Sequence, residues 1–164
     1  MNRDMTIGTI FFLWIYRMGN YLVFRRKLKI VIFPVYMIIS IIYRVLQVIY
    51  GCSIPFSSTI GKNICFKHGL YGIFISGKAV ILDNVTIMHQ VTIGSNFGSS
   101  GPIKAPLIGN NVFIGPASKI IGDIKIHDNS KLGVGCILAK RGEYSGVFIA
   151  KQSEKLETLI KGDQ

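Results

Sequence analysis

Ile108-Gly-Asn-Asn-Val-Phe, Ile114-Gly-Pro-Ala-Ser-Lys, Ile120-Ile-Gly-Asp-Ile-Lys, Ile126-His-Asp-Asn-Ser-Lys and Leu132-Gly-Val-Gly-Cys-Ile are five consecutive hexapeptides, each opening on a branched aliphatic residue, and Leu138 opens a sixth. Four places into each unit stands a second apolar or small residue: Val112, Ser118, Ile124, Ser130 and Cys136. A period of six fits neither an α-helix, which repeats near 3.6, nor a plain alternating strand, which repeats at 2. It suits a triangular coil in which each hexapeptide supplies one short parallel strand and one turn. Three units close a coil, and coils stack so that the aliphatic residues form ladders facing inward.

Working back towards the N-terminus, the same template recurs at Ile75, Ile81, Ile87 and Ile93, with Ala79, Val85 and Val91 at the second position, and it starts at Ile54, Ile60 and Phe66. The phase breaks twice. Phe66 to Ile75 spans nine residues, an insertion of three that contains Gly69 and Gly72. Ile93 to Ile108 spans fifteen, so nine residues are expected to protrude as a loop within 95–106. Glycine-rich excursions from a rigid scaffold are where function tends to sit.

Grouping the units as 60, 66, 75; 81, 87, 93; 108, 114, 120; and 126, 132, 138 predicts about four coils over residues 51–140. Equivalent positions then stack in columns at strand spacing. The third residue of the middle unit reads His68, His89, Pro116, Val134, which puts two of the three histidines on one corner and next to the insertions. The third, His127, falls in the polar turn Ile126-His-Asp-Asn-Ser on another column and is expected to be a solvated surface residue.

The flanks are different in kind. Residues 1–50 carry seven basic side chains against one acid, Asp4, among large apolar residues. The cluster Arg25-Arg-Lys-Leu-Lys29 precedes the uncharged run Ile30–Tyr43, which is shorter than the roughly 20 residues a spanning helix needs. This segment is expected to be helical. Two placements fit it: a helix lying in a membrane interface with its bases on headgroups, or helices packed on a partner subunit. Residues 141–164 are expected to leave the repeat, extended over 146–151 and then forming a short helix over 153–161.

Overall the 164 residues are 49% hydrophobic and 16% charged, with mean hydropathy +0.44 and net charge +11. That balance excludes a disordered chain, and no basic stripe with interleaved aromatics points to nucleic acid. Cys52, Cys65 and Cys136 form no Cys-x-x-Cys pair and fit buried thiols in a reducing compartment. The apolar run 7–16 lacks a small-residue cleavage site, so a cytoplasmic location is expected.

Phe66-Lys-His-Gly-Leu-Tyr-Gly-Ile-Phe-Ile75, Ala79-Val-Ile-Leu-Asp-Asn-Val-Thr-Ile87, Val91-Thr-Ile-Gly94 and Ile108-Gly-Asn-Asn-Val-Phe-Ile-Gly115 resemble the serine acetyltransferase family of hexapeptide-repeat enzymes. Trp14-Ile-Tyr-Arg-Met-Gly-Asn-Tyr21 resembles the branch that acetylates bacterial surface polysaccharides. Serine acetyltransferases proper carry a longer helical N-terminal domain. The resemblance implies an all-β, left-handed parallel β-helix, a homotrimer, acetyl-CoA as acyl donor and no metal. It implies His68 as general base, and Gly94, Gly115, Pro116, Ala117, Gly133, Val134 and Gly135 along the coenzyme's pantetheine groove. Lys151, in Gly146-Val-Phe-Ile-Ala-Lys151, is implied for its phosphates.

The departures bear on the acceptor. Where the family has Asp before the catalytic histidine, this chain has Lys67; where it has Arg-His-Pro after the loop, this chain has Lys104-Ala-Pro106; where it has the carboxylate that orients the histidine, this chain has Ser53. A lysine beside the base repels an ammonium group, so the expected acceptor is a hydroxyl of a saccharide, nucleotide-linked, lipid-linked or polymeric, met at the inner face of a bacterial membrane. Lys67, His89, Ser53 and Lys104 are the residues expected to support it. Serine as acceptor, a metal-dependent hydro-lyase resembling the γ-class carbonic anhydrases, and a scaffold without chemistry are the competing readings.

Overall fold

The structure is a computed structural model, which describes residues 5–24, 29–96 and 102–148. Arg25, Arg26 and Lys27, the loop tip at 97–101, Lys151 and the helix expected over 153–161 lie outside the described residues.

Fourteen short strands, β1 (Thr59–Ile60), β2 (Cys65–Phe66), β3 (Phe74–Ile75), β4 (Val80–Ile81), β5 (Thr86–Ile87), β6 (Thr92–Gly94), β7 (Leu107–Ile108), β8 (Phe113–Ile114), β9 (Lys119–Ile121), β10 (Ile124–Ile126), β11 (Lys131–Leu132), β12 (Ile137–Leu138), β13 (Gly142–Tyr144) and β14 (Val147–Phe148), wind into a three-sided parallel solenoid. Each face is one sheet, with orders β1-β4-β7-β10-β13, β2-β5-β8-β11-β14 and β3-β6-β9-β12. Register follows the hexapeptide count. Ile60 pairs with Ile81, Ile81 with Ile108 and Ile108 with Ile126. Phe66, Ile87, Ile114 and Leu132 stack on the second face, and Ile75, Ile93, Ile120 and Leu138 on the third.

Eleven of these twelve side chains are buried, and Leu138 packs against them half-buried. Each buried aliphatic contributes about 1.5–3 kcal/mol relative to exposure, so the ladders are the dominant stabilising term. Ala79, Val85, Val91, Val112, Ser118, Ile124, Ser130 and Cys136 fill the second inward position.

The solenoid extends beyond residue 140. β13 continues the first face, with Tyr144 beside Ile126, and β14 continues the second, with Phe148 beside Leu132. The expected exit from the repeat therefore gives way to a fifth, partial coil. The signal is weak because Phe148 follows Tyr144 after four residues where the repeat requires six, so the period breaks.

Two helices, α1 (Ile7–Phe24) and α2 (Lys29–Tyr50), close the N-terminal end. Thr6 caps α1 by accepting the Thr9 amide on its hydroxyl, at 3.3 Å. α2 ends with Gly51 at φ +56, where the amides of Gly51 and Cys52 return to the carbonyls of Val48 and Gln47. That pair of bonds satisfies carbonyls the helix end leaves free. The helices are tied to the first coil by polar side chains: the Tyr16 hydroxyl donates to the Ser58 carbonyl, Asn20 Nδ2 to the carbonyls of Phe56 and Ser58, Tyr43 to that of Ile54, and Arg17 to those of Ile60 and Gly61.

Candidate active site

Five coils share three corners, and the turn between the second and third faces differs in chemistry from the turn between the first and second. At the latter, Asn63, Asn84, Asn111 and Asn129 stack with φ of 54, 60, 56 and 61°. Asparagine tolerates the left-handed region better than other side chains, and its amides ladder along the column, Asn63 to Asn84 at 3.1 Å and Asn111 to Asn129 at 3.2 Å. That corner is explained by folding alone.

The other corner carries Gly51, Gly72, Gln90, Ala117 and Gly135 in left-handed conformation, with φ of 56, 67, 59, 60 and 66°. Gln90 and Ala117 have no intrinsic preference for it. Beside this column stands His68, also left-handed at φ 63°. A non-glycine residue there costs about 1–3 kcal/mol, and such strain clusters at functional sites.

The three-residue insertion explains the placement of His68. Counting on from Phe66, which pairs with Ile87, His68 is level with His89. Counting back from Phe74, which pairs with Thr92, Tyr71 is level with the same His89. Three residues thus belong to no rung and bulge outward, anchored by the fully buried Leu70. Gly69 makes the bulge possible: its φ is +84, and a Cβ there would meet the Tyr71 ring at 3.2 Å. His68 is exposed at the tip.

His68 and His89 meet edge-on, ring centroids 6.0 Å apart, as the column count requires. The His89 Nδ1 is buried and has no hydrogen-bond partner among the described residues. No described residue hydrogen-bonds the His68 ring, so both imidazoles hold polar atoms in reserve for something that enters the site.

Backbone donors are divided unequally along this corner. The Ala117 amide donates to the His89 carbonyl and the Gly135 amide to that of Pro116, so the regular turns have committed theirs to the stack. Among the described residues no backbone carbonyl accepts from the amides of Gly69 or Leu70. Neither the left-handed His68 nor these spare amides were read from the sequence; the glycine directly after His68 is the signal that marks them.

The remaining candidates separate into those near this corner and those elsewhere. Pro116 and Val134 continue the His68–His89 column, half-buried and exposed respectively, with Ala117 and Gly135 beside them. Gly115 is explained without a ligand: a Cβ there would lie 2.6 Å from the Gly133 carbonyl, so its missing side chain lets two coils stack. Gly133 itself donates its amide to Phe148 and accepts the Ser118 hydroxyl. Gly94 lies on β6 over Ile121 with ordinary clearance for a Cβ. Lys67 is half-buried just before His68, its amide donating to the Ile87 carbonyl.

Lys104 sits apart from His68 within one chain. Ser53 pairs with Phe74 and lines a cavity of about 420 Å³ under α2, with Ser40, Tyr43, Arg44 and Gln47. Lys104 grips Asp123 at 2.7 Å at the corner between the third and first faces, and exchanges bonds with Asn96 across the neck of the long loop. His127 is at the surface, as expected, its side chain 42% exposed, and its Nε2 lies 2.7 Å from Glu143, alongside Lys125 at 3.1 Å. Its partner comes from the fifth coil that the sequence reading left out. All three cysteines are buried, and burial pushes the Cys52 thiol up to about 12.

Residues 105–140 match the bacterial transferase hexapeptide family (six repeats). Over 103 residues, 63% of this chain, there is 32% identity to the serine acetyltransferase of Mycobacterium tuberculosis, covering 44% of that protein. Over 88 residues there is 39% identity to the serine acetyltransferase of Staphylococcus epidermidis, covering 40% of it. The chain thus spans less than half the length of these relatives. Soybean serine acetyltransferase superposes with a TM-score of 0.66 at 27% identity, over 86% of this chain and 56% of that one. Serine acetyltransferase isoform 3 of Entamoeba histolytica, solved with cysteine, superposes with a TM-score of 0.72 over 96% of this chain and 54% of that one, at 24% identity, a likeness of fold. The solenoid is the left-handed parallel β-helix of hexapeptide-repeat transferases.

Proposed function

We propose that the chain transfers an acetyl group directly from acetyl-CoA to a hydroxyl, with His68 as general base. The observation that carries this is His68 itself: a strained, left-handed, exposed imidazole on an insertion, edge-on to His89 and next to uncommitted amides. Similarity to serine acetyltransferases along the repeat supports the same chemistry.

In the step proposed, neutral His68 takes the proton of the acceptor hydroxyl as its oxygen attacks the thioester carbonyl. The oxyanion of the tetrahedral intermediate accepts from the Gly69 and Leu70 amides. Its collapse breaks the carbon–sulfur bond, the acetyl ester leaves on the acceptor, and the proton held by His68 passes to the departing sulfur to give the free CoA thiol. His89 lies beside the base, where its free Nδ1 positions His68 or the acceptor. Pro116, Ala117, Val134 and Gly135 offer a small-residue surface for the pantetheine arm, and Lys151 is a candidate for the phosphates. In the homotrimer that belongs to this reading, Lys104 would approach His68 from a neighbouring prism.

L-Serine is the acceptor that the similarity favours, ahead of the saccharide hydroxyl expected from the sequence. One observation favours the saccharide: Lys67 precedes the base and Ala105 stands where the family has its second histidine, so the groups that hold an amino acid's ammonium and carboxylate are replaced. The experiment is to incubate the purified protein with acetyl-CoA and either L-serine or bacterial polysaccharide precursors, and to identify the acetylated product by mass spectrometry. O-Acetylserine supports the first acceptor and an acetylated sugar the second; CoA release with neither overturns both.

A further inference from the structure

We infer that α1 and α2 form a platform that lies in the surface of an anionic membrane, holding the solenoid's N-terminal end against it. The helices bury apolar side chains inward, Phe12, Ile15 and Tyr43 among them, and are apolar outward as well. Their polar groups, Tyr16, Arg17, Asn20, Tyr43 and Gln47, point inward and bond to the backbone of residues 54–61. Outward they show hydrocarbon. On α1, Phe11, Trp14, Met18 and Tyr21 follow helical spacing along one exposed stripe, with Trp14 60% exposed. On α2, Ile38, Ile41, Val45, Val48 and Ile49 do the same, the first three 61, 58 and 55% exposed. A contiguous apolar face of this kind marks an interaction surface.

Charge selects the occupant. Between Ile7 and Tyr50 the sequence holds six basic side chains, Arg17, Arg25, Arg26, Lys27, Lys29 and Arg44, and no acidic one. A second copy of this segment brings the same sign of charge, whereas anionic headgroups attract it. Geometry selects the depth. Both helices are long and apolar enough to cross a bilayer, but α1 is tied to the first coil through Tyr16, Arg17 and Asn20 and α2 through Tyr36, Tyr43 and Gln47. A helix fixed lengthwise on a solenoid enters a membrane sideways, by the depth of its free face, as interfacial helices do. This placement stands whichever acceptor the enzyme uses.

Trp14 is the chain's one tryptophan and lies on the proposed face, so it reports directly. The full-length protein is mixed with vesicles of phosphatidylglycerol and phosphatidylcholine, with vesicles of phosphatidylcholine alone, and with no lipid over a range of protein concentrations. The expected result is a blue-shifted Trp14 emission on the anionic vesicles, quenched by lipids brominated on the acyl chain and reversed in part by salt. The variant I38Q/I41Q/V45Q, altered only at exposed positions, should keep its circular dichroism and bind these vesicles about tenfold or more weakly, the effect of losing at least ~1.4 kcal/mol. Emission indifferent to anionic vesicles overturns the proposal. So does an emission shift that tracks protein concentration without lipid, which assigns the face to a second copy. So does unchanged vesicle binding by the triple variant.

Discussion

Substituting Gly115 by alanine separates a glycine kept for a ligand from one kept for stacking. The new Cβ would lie 2.6 Å from both the carbon and the oxygen of the Gly133 carbonyl and 2.7 Å from the Leu132 oxygen, all backbone of the next coil. None of these atoms can rotate away, so two rungs must part. Overpacking of this kind costs about 1–3 kcal/mol. For a domain of this size each kcal/mol lowers Tm by roughly 2–4 °C, which gives a fall on the order of 2–12 °C. Gly94 is the internal control: its Cβ would stand 3.5 Å from Ile121, in ordinary contact. Gly94→Ala should leave Tm level or raise it slightly, since alanine restricts the unfolded chain by about 0.4–1 kcal/mol. Thermal melts of both variants followed by circular dichroism, at matched scan rates, give the comparison. Gly115→Ala melting within about 1 °C of wild type, with a higher KM for acetyl-CoA, would refute the stacking account and return Gly115 to the coenzyme groove.

Other outcomes follow from the same contacts. Ile114→Ala, in the middle of the second ladder, should lower stability by about 2–5 kcal/mol, measured by urea unfolding. Tyr43→Phe leaves the Ile54 carbonyl without its buried donor and should cost about 1–3 kcal/mol, read from the same curves. Asp128 is held below the usual carboxylate range by the backbone and side-chain amides of Asn110, and Glu143 by hydrogen bonds from Lys125 and His127. A carboxylate depressed on folding stabilises above its unfolded pKa and loses that contribution as pH falls through its folded value. Acid should therefore lower Tm, and Asp128→Asn should flatten that dependence in melts taken across the acidic range.

The ladders were legible because a six-residue period leaves few alternatives, and one count from Ile60 to Leu138 fixed which residues pair. The same arithmetic brings His68 to His89. It worked because insertions shift the phase by whole rungs while leaving the inward residues recognisable. The fifth coil escaped because the step from Tyr144 to Phe148 is four residues and breaks the period of six, and with it went the Glu143 partner of His127. Burial alone reads a glycine ambiguously: Gly115 and Gly94 look equivalent in sequence, and only the distance to the neighbouring coil distinguishes them. Lys104 aligns with a supporting position of the resembled family, yet it lies at the corner between the third and first faces, away from His68. Linear alignment carries residue type across, but not the subunit from which a side chain reaches the site.

The central claim is that His68 moves the proton in acetyl transfer, and release of free CoA thiol measures it directly. Wild-type protein and His68→Ala are compared with acetyl-CoA and whichever acceptor yields an acetylated product, while a thermal shift with CoA reports binding in both. The account predicts a fall of about 10²–10⁴-fold in turnover for His68→Ala with the CoA-induced shift preserved, as removal of a general base requires. A variant that keeps more than about a tenth of the wild-type rate would contradict it.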